Sequence, residues 1–190
     1  MKPRILSLVI SILFLSILFT ACKKEGSVSQ DYSAETAAHS EDQSRFSTEV
    51  DAVANDANLA LEVTPAFSGR GGEIQALICD ADITVDTLAN PRTLTITYNG
   101  TNCLGNRTRT GVIVLSMAQG VRWKNAGAAL SVSYQNFKVT RVSDNKSITI
   151  NGSQTYTNVS GGLLLNLPVL GTITHTITSS NMSVTFDNNS

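Results

Sequence analysis

From Leu77 onward apolar residues recur at every second position: Ile83 and Val85; Leu94, Ile96 and Tyr98; Ile113, Leu115 and Met117; Leu130, Val132 and Tyr134; Phe137 and Val139; Ile148 and Ile150; Leu163, Leu165 and Leu167; Ile173 and Ile177; Met182, Val184 and Phe186. Period two marks a strand with one buried face. Turn residues punctuate the runs at Asn90-Pro91, Asn99-Gly100, Asn125-Ala126-Gly127, Ser143-Asp144-Asn145, Gly161-Gly162 and Ser179-Ser180-Asn181. Asn151-Gly152 looks like a hairpin turn. Yet the parity of Ile148, Ile150, Gln154 and Tyr156 runs through it, which favours one long strand with an internal glycine and a turn at 143–146. Short strands joined by short links pair antiparallel, because parallel neighbours need crossovers of about a dozen residues or more.

Before Leu77 the period is different. Phe46, Val50, Val53, Ala57, Ala60 and Leu61 fall mostly three or four apart, one face of a helix over 41–64. Ser40 is its expected N-cap, Glu41 and Asp42 suit its first turn, and Pro65 stops it. The stripe is narrow and alanine-rich, which suits a helix resting on a sheet. The expected fold is mainly β: an antiparallel meander over 74–190, forming an open, curled sheet or a sandwich, with one N-terminal amphipathic helix packed against it. Residues 22–40 are polar and read as a flexible tether. Ser68-Gly69-Arg70-Gly71-Gly72 reads as a linker, since an Arg-Gly-Gly contact with nucleic acid needs many copies in a basic context. No nucleic acid is expected as a partner.

The first 21 residues stand apart from the fold. Lys2 and Arg4 precede an apolar run from Ile5 to Phe19 broken only by Ser7, Ser11 and Ser16. That is shorter than the roughly 20 residues a spanning helix needs and suits a secretion leader. Phe19, Thr20 and Ala21 then lead into Cys22, an order that resembles the lipobox of bacterial lipoproteins, with Phe19 where leucine is usual. Small residues before the cut admit the peptidase, and the thiolate accepts a diacylglyceryl chain. The resemblance implies a signal peptide over 1–21, lipidation (palmitate or a similar acyl chain) at Cys22 and a bilayer as partner; two or three chains suffice for stable anchoring. The alternatives are an ordinary signal peptide with an incidental cysteine, or an N-terminal membrane anchor. Lys23 after the cysteine, in place of Asp, resembles lipoproteins sent to the outer membrane, on its periplasmic face or the cell surface.

Charge is unevenly placed. The 190 residues carry a net of −1, but 23–86 hold 13 acids and 4 bases while 87–190 hold 2 acids and 8 bases. The acidic helix is therefore expected beside basic sheet residues, among them Arg107, Arg109, Arg122, Lys124, Lys138 and Arg141. Exposed pairs contribute at most about 1 kcal/mol each, so such pairing orients the helix more than it holds it. In 87–190, 40 of 104 residues are Thr, Ser or Asn, so the solvated sheet face should be hydroxyl and amide.

Cys79 and Cys103 remain after Cys22. In an exported chain two such thiols are oxidised. If 83–85 pair with 97–99 about a turn at Pro91, partner numbers share one sum, and Cys79 with Cys103 has that sum too. A metal pair or a nucleophilic cysteine are the alternatives, but His39 and His175 lie far away in sequence.

The order Cys79, an alternating strand, Pro91-Arg92-Thr93-Leu94-Thr95-Ile96, Gly100, Cys103, Arg107-Thr108-Arg109-Thr110-Gly111-Val112-Ile113 and Phe137-Lys138-Val139 resembles a family of uncharacterised Bacteroidota lipoproteins. The resemblance implies a β-rich exported protein and transfers no catalytic residue. Such proteins commonly run on into another strand where this sequence stops at Asp187-Asn188-Asn189-Ser190, so it is either a shortened member or a truncated one.

Candidate chemistry is sparse. An enzyme needs convergent acids, bases or nucleophiles, whereas here the acids precede the sheet and the sheet has His175 besides hydroxyls, with His175 read as a core or edge residue. No catalytic residue, metal ligand or cofactor is assigned. Asp86-Thr87-Leu88 looks like the O-glycosylation acceptor of Bacteroidota, with Thr87 as the acceptor. Arg122, Trp123 and Lys124 sit between two strands, where an exposed indole flanked by bases would contact a sugar or anion; the competing reading is a Trp that plugs the end of the sheet. The leading expectation is a membrane-anchored binding or structural module of the cell envelope, with a glycan or an envelope protein as partner. A secreted hydrolase whose site is assembled only in space is the alternative.

Overall fold

The period-two alternation becomes one six-stranded antiparallel sheet, with neighbours in chain order from β1 to β6. The computed structural model describes residues 32–69 and 78–187. The leader, Cys22, residues 70–77 and residues 188–190 lie outside the described residues. The strands are β1 (Ala81–Asp86), β2 (Arg92–Thr101), β3 (Arg107–Met117), β4 (Ala128–Arg141), β5 (Ser147–Asn158) and β6 (His175–Asp187). Two helices precede them, α1 (Ser33–Val63) and α2 (Pro65–Ser68). The sheet is an open meander, not a closed barrel. Among the described residues, those from His39 on form one compact unit that holds the sheet.

Helix α1 starts well before the expected Ser40 cap. Residues 33–40, expected within the tether, are helical. Ser33-Ala34-Glu35-Thr36-Ala37-Ala38 is alanine-rich with an acid in the first turn, and extending a helix already nucleated by packing fixes little new entropy. From His39 on, α1 buries Val50, Val53, Ala57, Ala60 and Leu61 against the inner sheet face, where Leu94, Ile96, Ile113, Leu115, Leu130, Val132 and Ile150 are also fully or almost fully buried. Pro65 ends α1 as expected and opens α2, which Gly69 closes in the left-handed conformation. Among the described residues no helix is long and apolar enough to cross a membrane.

Three expectations about the strands are corrected. First, Ile83 pairs with Ile96 and Val85 with Leu94, three positions away from the register expected from the cysteines. An even sum would set the odd-numbered Ile83 and Val85 beside Thr97 and Asn99; only an odd sum brings both apolar sets to one face. Second, Ser179-Ser180-Asn181 is no turn but lies inside β6. The inner-face parity shifts by one within β4, between Tyr134 and Phe137, and the β5–β6 register shifts opposite Gly152. Each shift is a bulge: Asn136 and Asn181 adopt positive φ, and a Cβ on the facing Gly111 or Gly152 would collide with their backbone. The strand through Asn151-Gly152 is therefore continuous, as favoured, with the glycine required by the bulge opposite. Third, Leu163, Leu165 and Leu167 do not form a strand. Leu164–Asn166 is a 3₁₀ turn and Leu167–Leu170 a short helix (α3) with Pro168 in its first turn.

Cys79 and Cys103 are joined by a disulfide with a Cα–Cα distance of 5.3 Å. Both lie just outside the β1–β2 ladder, so the bridge closes its end without sharing its register.

Candidate functional site

Antiparallel register puts every second strand residue on the outer face, and two rows cross all six strands there. One is Thr84, Thr95, Val114, Ser133, Ser153 and Ser180; the next is Asp86, Thr93, Ser116, Ser131, Thr155 and Thr178. Between them they hold one acid and no base. Strands lie about 4.8 Å apart, so the rows form a regular array of hydroxyl donors and acceptors. Ser131, Thr155 and Thr178 are exposed. Such a face can hydrogen-bond a neutral polyol or polysaccharide without displacing a counter-charge.

Trp123 is not exposed, which corrects the sugar-contact reading in favour of the plug; Arg122 beside it is half-buried and Lys124 exposed. Trp123 is 1% exposed, its Nε1 donates to Asn58 Oδ1 at 3.0 Å and its ring lies 5.2 Å from that of His175. Its backbone N–H donates to the Phe67 carbonyl and its own carbonyl accepts from Asn158 Nδ2, each at 2.8 Å. Arg122 donates to the Ala66 carbonyl at 2.5 Å and Lys124 to that of Gly69 at 2.9 Å. The flanking bases thus turn inward onto carbonyls at the helix end, where cations are favoured. Arg92 joins them, donating to Ala66, Ala118 and Val121 carbonyls with its guanidinium 4.9 Å over the Phe67 ring. Burial, and after it the neighbouring Arg122 charge, lowers the Arg92 pKa. Burial likewise lowers that of His175, against the opposing charge of Glu62.

The acidic helix does meet the basic sheet. Glu49 accepts from Arg107 Nε at 2.7 Å, and Glu41 accepts from Arg141 and Lys146 at 3.1 Å each. Lys138, by contrast, is exposed. Arg109, expected beside the acidic helix, reaches Asp56 there at 2.7 Å; not legible in the sequence was its grip on fully buried Asp80 through two bonds of 2.7 and 2.6 Å. Tyr98 donates to the same Asp56 oxygen at 2.9 Å under the guanidinium. Burial, then Asp56, drives the Tyr98 pKa well above its usual range. Burial alone would lower that of Arg109, but the Asp80 hydrogen bonds and the Asp56 charge more than offset it. With both acids committed to one guanidinium, this cluster clamps helix to sheet. Among the described residues no group of three or more His, Cys, Asp or Glu side chains converges as a metal site.

Thr87 is exposed in the β1–β2 link, where Asp86 Oδ1 accepts from the Leu88 and Ala89 N–H groups at 2.9 and 3.0 Å. That Asx turn presents the threonine side chain outward. Cys22 lies outside the described residues. No protein family, curated protein or solved structure matches the chain.

Proposed function

We propose that the protein is an outer-membrane lipoprotein of the Bacteroidota type, held by acyl chains on Cys22, whose β domain is a non-catalytic binding or structural module of the cell envelope. The observation that carries this reading is the outer sheet face, two rows across six strands in which every position but Val114 and Asp86 is Ser or Thr. The leader sequence and the Cys79–Cys103 bridge, which needs an oxidising compartment, support the export step. The partner is an envelope glycan or protein lying on the hydroxyl rows. Thr87, exposed on its Asx turn, serves as the glycosylation acceptor.

Binding of the full-length chain to isolated envelope polysaccharide tests the reading. It should fall at least tenfold in Ser131→Lys/Thr155→Lys/Thr178→Lys, which sets three like charges along one row. Retained binding in that variant, or turnover of chromogenic esters or glycosides by the unaltered chain, would overturn it.

A further inference from the structure

The N-terminal half of the packed helix borders a second polar region, on the opposite face of the sheet from the hydroxyl rows. A cleft of about 100 Å³ opens between α1 and the ends of β3, β4 and β5. At about 30 Å³ per water it has room for roughly three waters, enough to seat a carboxylate and one edge of a sugar ring with the rest of the ring in solvent. Arg45, Arg107, Arg141 and Lys146 line it together with Glu49, and Asp42, Asp144 and Glu41 pair with Arg45, Arg141 and Lys146. Arg107 and Arg141 face each other directly across the β3–β4 ladder, an arrangement that like charges oppose.

Two features say what the cleft takes. The first is Glu49, which is 7% exposed and lends Oε1 to Arg107, while its buried Oε2 has no hydrogen-bond donor. A buried carboxylate oxygen without a donor is costly, and a ligand hydroxyl would satisfy it. The second is Glu41. This 43%-exposed side chain reaches from α1 and lays its carboxylate between Arg141 Nη2 and Lys146 Nζ. Asp144 also holds Arg141, accepting from its Nε at 2.8 Å and from the same Nη2, so of the chain's own two carboxylates here Glu41, which bridges to Lys146, is the one a ligand's carboxylate would replace. Below them Val139 and Ile148, paired across β4 and β5, supply an apolar floor for a ring.

We propose that this cleft binds a sugar acid, a hexopyranose whose carboxylate replaces that of Glu41 on Arg141 and Lys146 and whose hydroxyl donates to Glu49 Oε2. The site goes beyond the hydroxyl-row reading and stands without it, because it lies on the other face of the sheet and needs none of the rows. Glu41 acts as an internal competitor that the ligand displaces.

The test is calorimetric titration of the full-length chain in detergent with glucuronate, and with glucose, acetate and inorganic phosphate as comparisons. Glucuronate should bind with a Kd of about 1 mM, ordinary for a ligand of this size. Glucose should give no heat. Glu49→Gln should weaken glucuronate about tenfold, and Glu41→Gln, at an exposed position that leaves the fold intact, should tighten it several-fold. No glucuronate binding to either the unaltered chain or Glu41→Gln would overturn the proposal. So would acetate or phosphate binding as tightly as glucuronate with no effect of Glu49→Gln, since that describes a bare anion site. Failure here with binding retained on the hydroxyl rows would remove the cleft alone.

Discussion

The two ends of the packed helix solve the same problem with different chemistry. At its C-terminal end, beside the β1–β2, β3–β4 and β5–β6 links, polar groups are spent on the chain itself: Asn58 holds the Trp123 indole, and Asn158 donates to the Trp123 and Gly162 carbonyls while 0% exposed. At the other end, beside the β2–β3 and β4–β5 links, helix and sheet meet through Glu41 and Glu49 against Arg107, Arg141 and Lys146, around an open cleft. One end is a seal and the other a set of charges with room between them. Short-range amides with a buried ring fix a corner. The exposed Glu41 pairs hold it weakly and stay exchangeable, beside the more buried Glu49–Arg107 pair.

If the sealed end carries the stability, breaking it should have the largest effect. Trp123→Ala removes the plug and strands the Asn58 acceptor, and should cost about 3–5 kcal/mol by denaturant unfolding. A loss below about 1 kcal/mol would return Trp123 to the surface role first considered for it. Next, Cys79→Ser/Cys103→Ser opens a loop with a separation of 24 residues. Loop-closure arithmetic gives a loss of about 3 kcal/mol under oxidising conditions, with reducing agent lowering the unaltered protein to the same level.

A smaller effect comes from His175, whose pKa is pulled down by burial. The unfolded chain then takes the proton more readily than the folded one. Stability is complete above the unfolded pKa of about 6.5 and declines as pH falls through the lowered folded value. Melting temperature should drop between pH 7.5 and 5.5, and His175→Phe, which keeps a ring against Trp123, should abolish that step. The smallest effect lies at the open end. Asp144, hydrogen-bonded by Arg141, titrates at about 2. Carboxyl carbon shifts should show that midpoint return towards 4 in Arg141→Gln, close to the unperturbed value, with little change in overall stability.

The contrast also marks what was legible in the sequence. The alternation located the strands, and the four-three spacing from Phe46 to Ala60 located the packed helix, because both report a one-sided core directly. The parity change between Tyr134 and Phe137 was visible too, and it signified a bulge. The same signal in β6 reads as a turn because Ser179-Ser180-Asn181 has turn composition, and only pairing with β5 across Gly152 distinguishes the two. Leu163, Leu165 and Leu167 matched period two by coincidence, while Pro168 marked the helical turn that forms there. The particular partners of Trp123 and Arg109 were out of reach. Asn58 lies 65 residues from Trp123, and Asp80 and Asp56 lie 29 and 53 residues from Arg109. Nothing in a local pattern separates a base that will be buried and paired from one left in solvent. Polar residues on the helix's inner face, Arg45, Glu49 and Asn58, were the available signal that its stripe is not wholly apolar.

The division of labour between the ends is tested most directly by amide and indole NMR of the full-length chain titrated with glucuronate. The chain has one tryptophan, so a single indole signal reports on the sealed end. The account predicts shifts confined to residues 41–49, Arg107 and 141–148, with the indole signal unmoved. Movement of the indole, or titration-dependent shifts centred on the Trp123 corner with none along 41–49, would contradict it.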